Sequence, residues 1–212
     1  MKRIYALGGL SICILVLFFL ASLVTKRTCI GSDRTEAINN LKQLNLALID
    51  FDHDYGCFPD AITAADVKVA TGTGFRLGSS SSNELFRQLI ASGNKSEKIF
   101  WASSAISRRK PDDVIDTDAK ALAPGECAFT YIAGLHSEGD PDTPVLMVPV
   151  IRGTWKFDPK PFEGKALVLR LDGTVRVESI NKHGHVMIGG RNLFDPRQPY
   201  WHGKAPDIKW PE

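Results

Sequence analysis

The sequence predicts an α+β fold, helical in its N-terminal part and ending in an antiparallel sheet, carried on a membrane anchor. Three observations predict it. Residues 4–24 contain no charged side chain. Residues 37–55 repeat apolar side chains at helical spacing, and an Asp-Gly pair at 172–173 separates two runs rich in β-branched and aliphatic residues.

The apolar run comes first. Its 21 residues, at about 1.5 Å each, span roughly 31 Å, close to the hydrocarbon thickness of a bilayer. Lys2 and Arg3 precede it, and Lys26 and Arg27 follow it. A cleaved signal peptide has a shorter apolar region and a small-x-small site behind it. Here the run ends in Leu23-Val24-Thr25-Lys26, which favours a retained anchor. The expected division is an anchor over residues 1–25 and an exported domain over 26–212. Basic residues on both flanks leave the positive-inside rule undecided, and the very short N-terminus makes N-inside the simpler topology.

The second element is an amphipathic helix over 34–56. Ala37, Leu41, Leu44, Leu48, Phe51 and Tyr55 recur at spacings of four and three, which places them on one face. Asn39, Asn40, Lys42, Gln43, Asn45, Asp50 and Asp52 fill the rest of the circumference. Gly56 stops the helix and Pro59 forbids its continuation.

Residues 60–125 read as a mixed, variable connection. Thr71-Gly72-Thr73-Gly74 and residues 79–82 are expected to be flexible. Ser81-Ser82-Asn83-Glu84 is a capping box, after which Leu85, Phe86, Leu89 and Ile90 give a short helix an apolar face and Gly93 ends it. Ser107-Arg108-Arg109-Lys110 reads as a solvated loop.

The sheet and tail occupy 126–212. Strands are expected at 129–132, 145–151 and 154–157, and a hairpin over 166–177. A two-residue Asp172-Gly173 turn would set Leu169 opposite Arg176. A three-residue loop, 171–173, pairs Leu169 with Val175 and Leu167 with Val177, and keeps the apolar faces together. The three-residue loop, with Gly173 in the left-handed region, is the better reading. The tail after Asn181 reads as loop, aromatic and rich in proline.

The charge balance, 26 basic against 24 acidic residues with a net of +2, lacks the concentrated basic face that nucleic acid requires. Asp50, Asp52 and Asp54 alternate before Gly56, but the glycine is one residue late for a calcium loop and its twelfth position is Ala61. His183, His185 and His202 read as surface histidines. Gly72-Thr73-Gly74 lacks the Lys-Ser/Thr of a phosphate loop, and no nucleophile elbow or zinc-binding helix is present. The sequence therefore points to no catalytic residue, no metal site and no cofactor.

The order of these elements, together with several local motifs, resembles type IV pilins and pseudopilins, the prepilin-like proteins of the bacterial envelope. The motifs are Asn40-Leu41-Lys42-Gln43-Leu44-Asn45-Leu46-Ala47-Leu48, Asp54-Tyr55-Gly56-Cys57-Phe58-Pro59, Phe86-Arg87-Gln88-Leu89, Gly125-Glu126-Cys127-Ala128-Phe129-Thr130-Tyr131 and Leu171-Asp172-Gly173-Thr174-Val175. The resemblance covers most of the chain. It implies a long helix, first transmembrane and then amphipathic, whose Leu41, Leu44, Leu48 and Phe51 pack on the sheet containing Leu167 and Leu169. It implies a structural, non-catalytic subunit of a pilus or of a type II secretion-like apparatus. The partners would be other pilin-like subunits or envelope proteins, and residues 4–24 would cross the inner membrane, N-terminus cytoplasmic and C-terminal domain periplasmic or extracellular. The alternative is an unassembled, membrane-anchored envelope domain that binds a protein or surface partner. Processed pilins carry a glutamate five residues into the mature helix. Cutting after Gly8 or Gly9 puts Cys13 or Ile14 there, and no acidic residue precedes Asp33.

Of the cysteines at 13, 29, 57 and 127, the last two lie in the exported domain. A pilin-like arrangement implies that the connection returns near its start, so that a Cys57–Cys127 bridge closes it in an oxidising compartment. The other reading makes Cys57 a small core hydrophobe beside Phe58.

Overall fold

A computed structural model describes residues 31–212, and the expected anchor over 1–25 lies outside the described residues. Among the described residues, no helix is long and apolar enough to cross a membrane. The fold is α+β, with helices against an antiparallel sheet.

The first helix, α1, covers residues 31–55 of the described chain. It ends where Gly56, at φ 79°, donates its N–H to the Asp52 carbonyl at 2.7 Å. A positive φ is cheap only without a Cβ, so the helix stops there. Two shorter helices follow, α2 (Ala64–Thr71) and α3 (Ser82–Ala91), then a 3-10 turn at Glu97–Phe100. The strands are β1 (Thr130–Ala133), β2 (Pro144–Val148), β3 (Lys165–Arg170), β4 (Val175–Ser179), β5 (Met187–Ile188), β6 (Arg191–Asn192) and β7 (Asp207–Lys209). Five of them form one antiparallel sheet in the order β4-β3-β2-β1-β7, while β5 and β6 pair separately.

Strand β3 shows how the sheet divides the core. Leu167 and Leu169 point to one side, and Ala166 and Val168 to the other, as the two-residue period of a strand dictates. All four are buried, so both faces are covered. On the first face lie Ala37, Leu41, Leu44, Leu48 and Phe51 of α1 together with Leu85, Phe86, Leu89 and Ile90 of α3. Phe86 is the joint, with ring centroids 5.2 Å from Tyr131 and 5.3 Å from Phe100. On the second face lie Val186, Leu193, Phe194, Tyr200 and Trp201 from the C-terminal segment.

The hairpin takes the three-residue loop. Leu169 pairs with Val175 and Leu167 with Val177, and Gly173 sits at φ 78°. The Asp172 carboxylate accepts from the Thr174 N–H at 2.8 Å and hydroxyl at 2.6 Å, which fixes the loop locally. Any Cβ on Gly173 would stand 3.0 Å from the Asn45 amide nitrogen of α1. Glycine is thus required by backbone conformation and by the close approach of the helix.

Several sequence expectations need correction. The connection over 60–125 carries the short helix expected after Ser81, as α3, and in addition α2 and the 3-10 turn, which were not expected. Gly72, expected to be flexible, is the left-handed cap of α2. The capping box is present: the Ser81 hydroxyl accepts from the Glu84 N–H, and the Glu84 carboxylate reaches back to the backbone of the cap and also accepts from the Ser80 N–H at 2.7 Å. No strand forms over 154–157. The Thr154 N–H and hydroxyl both bond the Ile151 carbonyl and close a turn, leaving one isolated bridge between Val150 and Phe157. The tail is not merely loop, because β7 pairs with β1 through Ile132 and Ile208.

The buried face of α1 generates a stability prediction. Leu48 is fully buried and Lys42 is exposed. Leu48→Ala should lose about 2–5 kcal/mol in a urea unfolding titration, and Lys42→Ala should change it by less than about 0.5 kcal/mol.

Candidate functional site

Two regions stand out, one on the surface of α1 and one inside the connection. On α1, Leu46 is 63% and Ile49 42% exposed, three residues apart on the side turned from the sheet. Beside Leu46 runs a groove of about 790 Å³ between Asn40, Gln43 and Ala47 of α1 and Leu89, Asn94 and Ile99 across from them. The groove is open and of mixed polarity. Beyond Ile49 the helix end is tied to the loop after β1, where Asp52 accepts from the Ser137 N–H at 3.2 Å. Thus α1 shows the sheet an uninterrupted apolar stripe and shows the outside a sparser one set among Lys42, Gln43, Asp50 and His53.

Asn40, read from sequence as part of the polar side, is buried. Its amide donates to the Lys98 carbonyl at 3.0 Å and to the Trp101 carbonyl at 2.8 Å, fastening α1 to the connection. Helical periodicity identifies only apolar contacts, so a buried amide on the flank of the stripe carries no signal of its own.

The second region is a group of carboxylates. One oxygen each of Glu97, Asp112 and Glu126 lies within 4.8 Å of the others. Glu97 and Glu126 have no solvent exposure, while Asp112 is exposed. Glu97 Oε1 accepts from the Leu122 N–H at 2.6 Å, and Glu126 Oε2 from the Ala123 N–H at 2.8 Å. Their other oxygens, Glu97 Oε2 and Glu126 Oε1, are buried without a hydrogen bond. Arg109 Nε lies 2.9 Å from Glu126 Oε1, an ion pair whose angle makes no hydrogen bond. A second Arg109 nitrogen donates to Asp112 at 2.9 Å. The expected solvated loop at 107–110 therefore supplies a counter-ion, and Ser107 is buried.

The backbone is shaped around this group. Leu122 holds φ 47°, unusual for a side chain with a Cβ. Its N–H goes to Glu97, and its carbonyl accepts from the buried Asn83 amide at 2.8 Å. Arg87 donates to the Ala121 carbonyl at 2.8 Å. The loop at 121–126 is thus held by polar side chains from α3 and the 3-10 turn. The sequence offered no pattern for this, since Glu97 and Glu126 lie far apart and look like ordinary surface acids.

Burial, reinforced by the charges of Glu126 and Asp112, raises the Glu97 carboxyl above its ordinary range, against the Leu122 hydrogen bond. Burial also raises Glu126, opposed by the Ala123 N–H and by Arg109.

The bridge expected between Cys57 and Cys127 is not formed, and both are free thiols. The connection does not bring them together. Cys127 is fully buried, with Sγ 3.7 Å from Ser82 Oγ at the start of α3 and 3.8 Å from the Phe129 carbonyl. Cys57 is half-buried in the bend after α1, near Asp60 and Asp52. Burial pushes the Cys127 thiol up to about 12. Cys13 and Cys29 lie outside the described residues. His183 and His202 are exposed and His185 half-exposed, and among the described residues none joins a metal-ligating group.

Two measurements check this region. In the native protein at pH 8, maleimide labelling followed by peptide mapping should modify Cys57 and spare Cys127 until denaturant is added. For the carboxyl groups, an acid whose native pKa is raised gives stability that is complete below its unfolded pKa and is lost as pH rises through the native value. Unfolding titrations in EDTA should therefore show the native chain losing stability relative to Glu97→Gln as pH climbs above the ordinary glutamate range. Parallel pH profiles would contradict the burial described.

No protein-family model, curated protein or solved structure matches the chain.

Proposed function

We propose that the chain is a structural, non-catalytic pilin-like or pseudopilin-like subunit of a bacterial pilus or type II secretion-like apparatus. The observation that carries this reading is the two-sided character of α1. Its inner face is buried against the sheet, its outer face keeps Leu46 and Ile49 exposed, and a charge-free run over 4–24 stands just ahead of it in sequence. A helix of that kind can anchor a domain and also lie against neighbouring helices. The close approach of the Gly173 turn to Asn45 adds support, since it sets the last part of the motif series beside the helix. In this proposal residues 1–25 form a single inner-membrane span with the N-terminus cytoplasmic, and the domain is periplasmic or extracellular. Other pilin-like subunits or envelope proteins are its partners.

A second reading is favoured by one observation: no acidic residue precedes Asp33, so the registering glutamate of processed pilins is missing. Under that reading the domain stays anchored and unassembled, and binds an envelope or surface partner.

N-terminal sequencing of the protein isolated from its native membrane separates the two readings. A new N-terminus next to Gly8 or Gly9 is expected for the subunit, and an intact Met1 would overturn it in favour of the unassembled domain. A periplasm-dependent reporter fused after Glu212 should be active under both, and an inactive reporter on a stable fusion would remove the export they share.

A further inference from the structure

We propose that Glu97, Asp112 and Glu126 form a calcium-binding site that locks the connecting segment of the domain. The site is independent of the function proposed above and needs only this chain.

The argument starts from charge. Three carboxylates and one guanidinium, that of Arg109, give the cluster a net charge of about −2 when all are ionised, and Arg109 itself is half-exposed. Two of the carboxylates belong to side chains with no solvent exposure. Unsatisfied carboxylate oxygens in such a place are expensive, and native proteins pair them or use them as metal ligands. Here each buried glutamate spends one oxygen on a backbone N–H and leaves the other, Glu97 Oε2 or Glu126 Oε1, without a hydrogen bond. Glu126 Oε1 has the Arg109 ion pair at 2.9 Å, whereas Glu97 Oε2 is buried with no partner; that orphaned oxygen points to a ligand independently of the clustering, and a divalent cation would balance the net charge.

The donor chemistry narrows the ion. All three groups offer oxygen, with no sulfur or imidazole, so the site suits a hard cation. Calcium binds oxygens at about 2.3–2.6 Å, so two of its ligands on opposite sides stand roughly 4.6–5.2 Å apart. The carboxylate oxygens, all within 4.8 Å of one another, fit around such an ion. Magnesium demands about 2.0–2.1 Å and keeps much of its water, which suits two glutamates closed off from solvent poorly.

The consequence is mechanical. Glu97 opens the 3-10 turn after α3, Asp112 lies in the loop that follows that turn, and Glu126 lies shortly before β1. One ion would therefore staple three separate parts of the connection to the sheet. The network of hydrogen bonds around Leu122 already preforms that loop, so binding would need little rearrangement.

The test uses the full chain, purified in mild detergent and stripped of metal, with CaCl2 as the probe. For a dissociation constant of about 10⁻⁴ M, in the range of extracellular calcium modules, 1 mM CaCl2 (about ten times that value) should raise the Tm by roughly 3–6 °C. Glu97→Gln and Asp112→Asn should each lose most of that shift. Asp112 is exposed, so its variant decides the matter even if Glu97→Gln fails to fold. Absence of a shift in the native chain would overturn the proposal, and so would a full shift retained by Asp112→Asn. An equal shift with 1 mM MgCl2 would overturn the assignment to calcium.

Discussion

The fold depends on one requirement: a strand whose two faces are both apolar must be covered on both. Strand β3 carries Leu167 and Leu169 on one side and Ala166 and Val168 on the other, all buried. A single helix layer would leave the second side wet, at about 25 cal/mol for each Å² of apolar surface. The chain meets the requirement with α1 and α3 in front and the segment from Val186 to Trp201 behind. Phe157 and Phe194 stack at 5.9 Å in the rear layer. Tyr200 and Trp201 both bond the Leu193 carbonyl, so the large rings there keep their polar atoms satisfied.

The front layer is held by polar pins as much as by packing. Asn40 fastens α1 to the 3-10 turn, Asn83 fastens α3 to Leu122 and to the Glu212 N–H, and Gln88 joins Thr63 to the Asp60 carbonyl. Each spans a long separation in sequence, and each buried partner would be left unsatisfied if its pin were removed. The connection therefore has one arrangement despite its many serines, glycines and charged residues.

This explains which parts of the molecule were legible beforehand. The stripe of α1 and the register of the β3–β4 hairpin follow from periods of 3.6 and 2, and both are read locally. The stop at Gly56 follows from backbone sterics in the same way. The pins, by contrast, come from residue types whose partners are set by tertiary approach. Asn40 looked like solvent-facing filler, and Arg109 looked like part of a basic loop. Glu97 and Glu126 gave no signal because their neighbourhood exists only after α3, the 3-10 turn and the 121–126 loop have come together. Strand β7 was missed for a related reason: Asp207-Ile208-Lys209 alternates polar and apolar, but three residues are too short a run to mark a strand, and pairing with β1 defines it.

The pairing of β1 with β7 also sets an order of events. Ile132 meets Ile208 across a separation of about 75 residues, a contact of high order whose loop closure is slow. A chain delivered N-terminus first presents α1, α3 and β1 to β4 before β7 is available. During that interval β1 is an open sheet edge, with unpaired backbone groups that can template association with another strand. The short C-terminal strand thus acts as the closing piece of the sheet, and the vulnerable period of this domain's biogenesis lasts until it arrives.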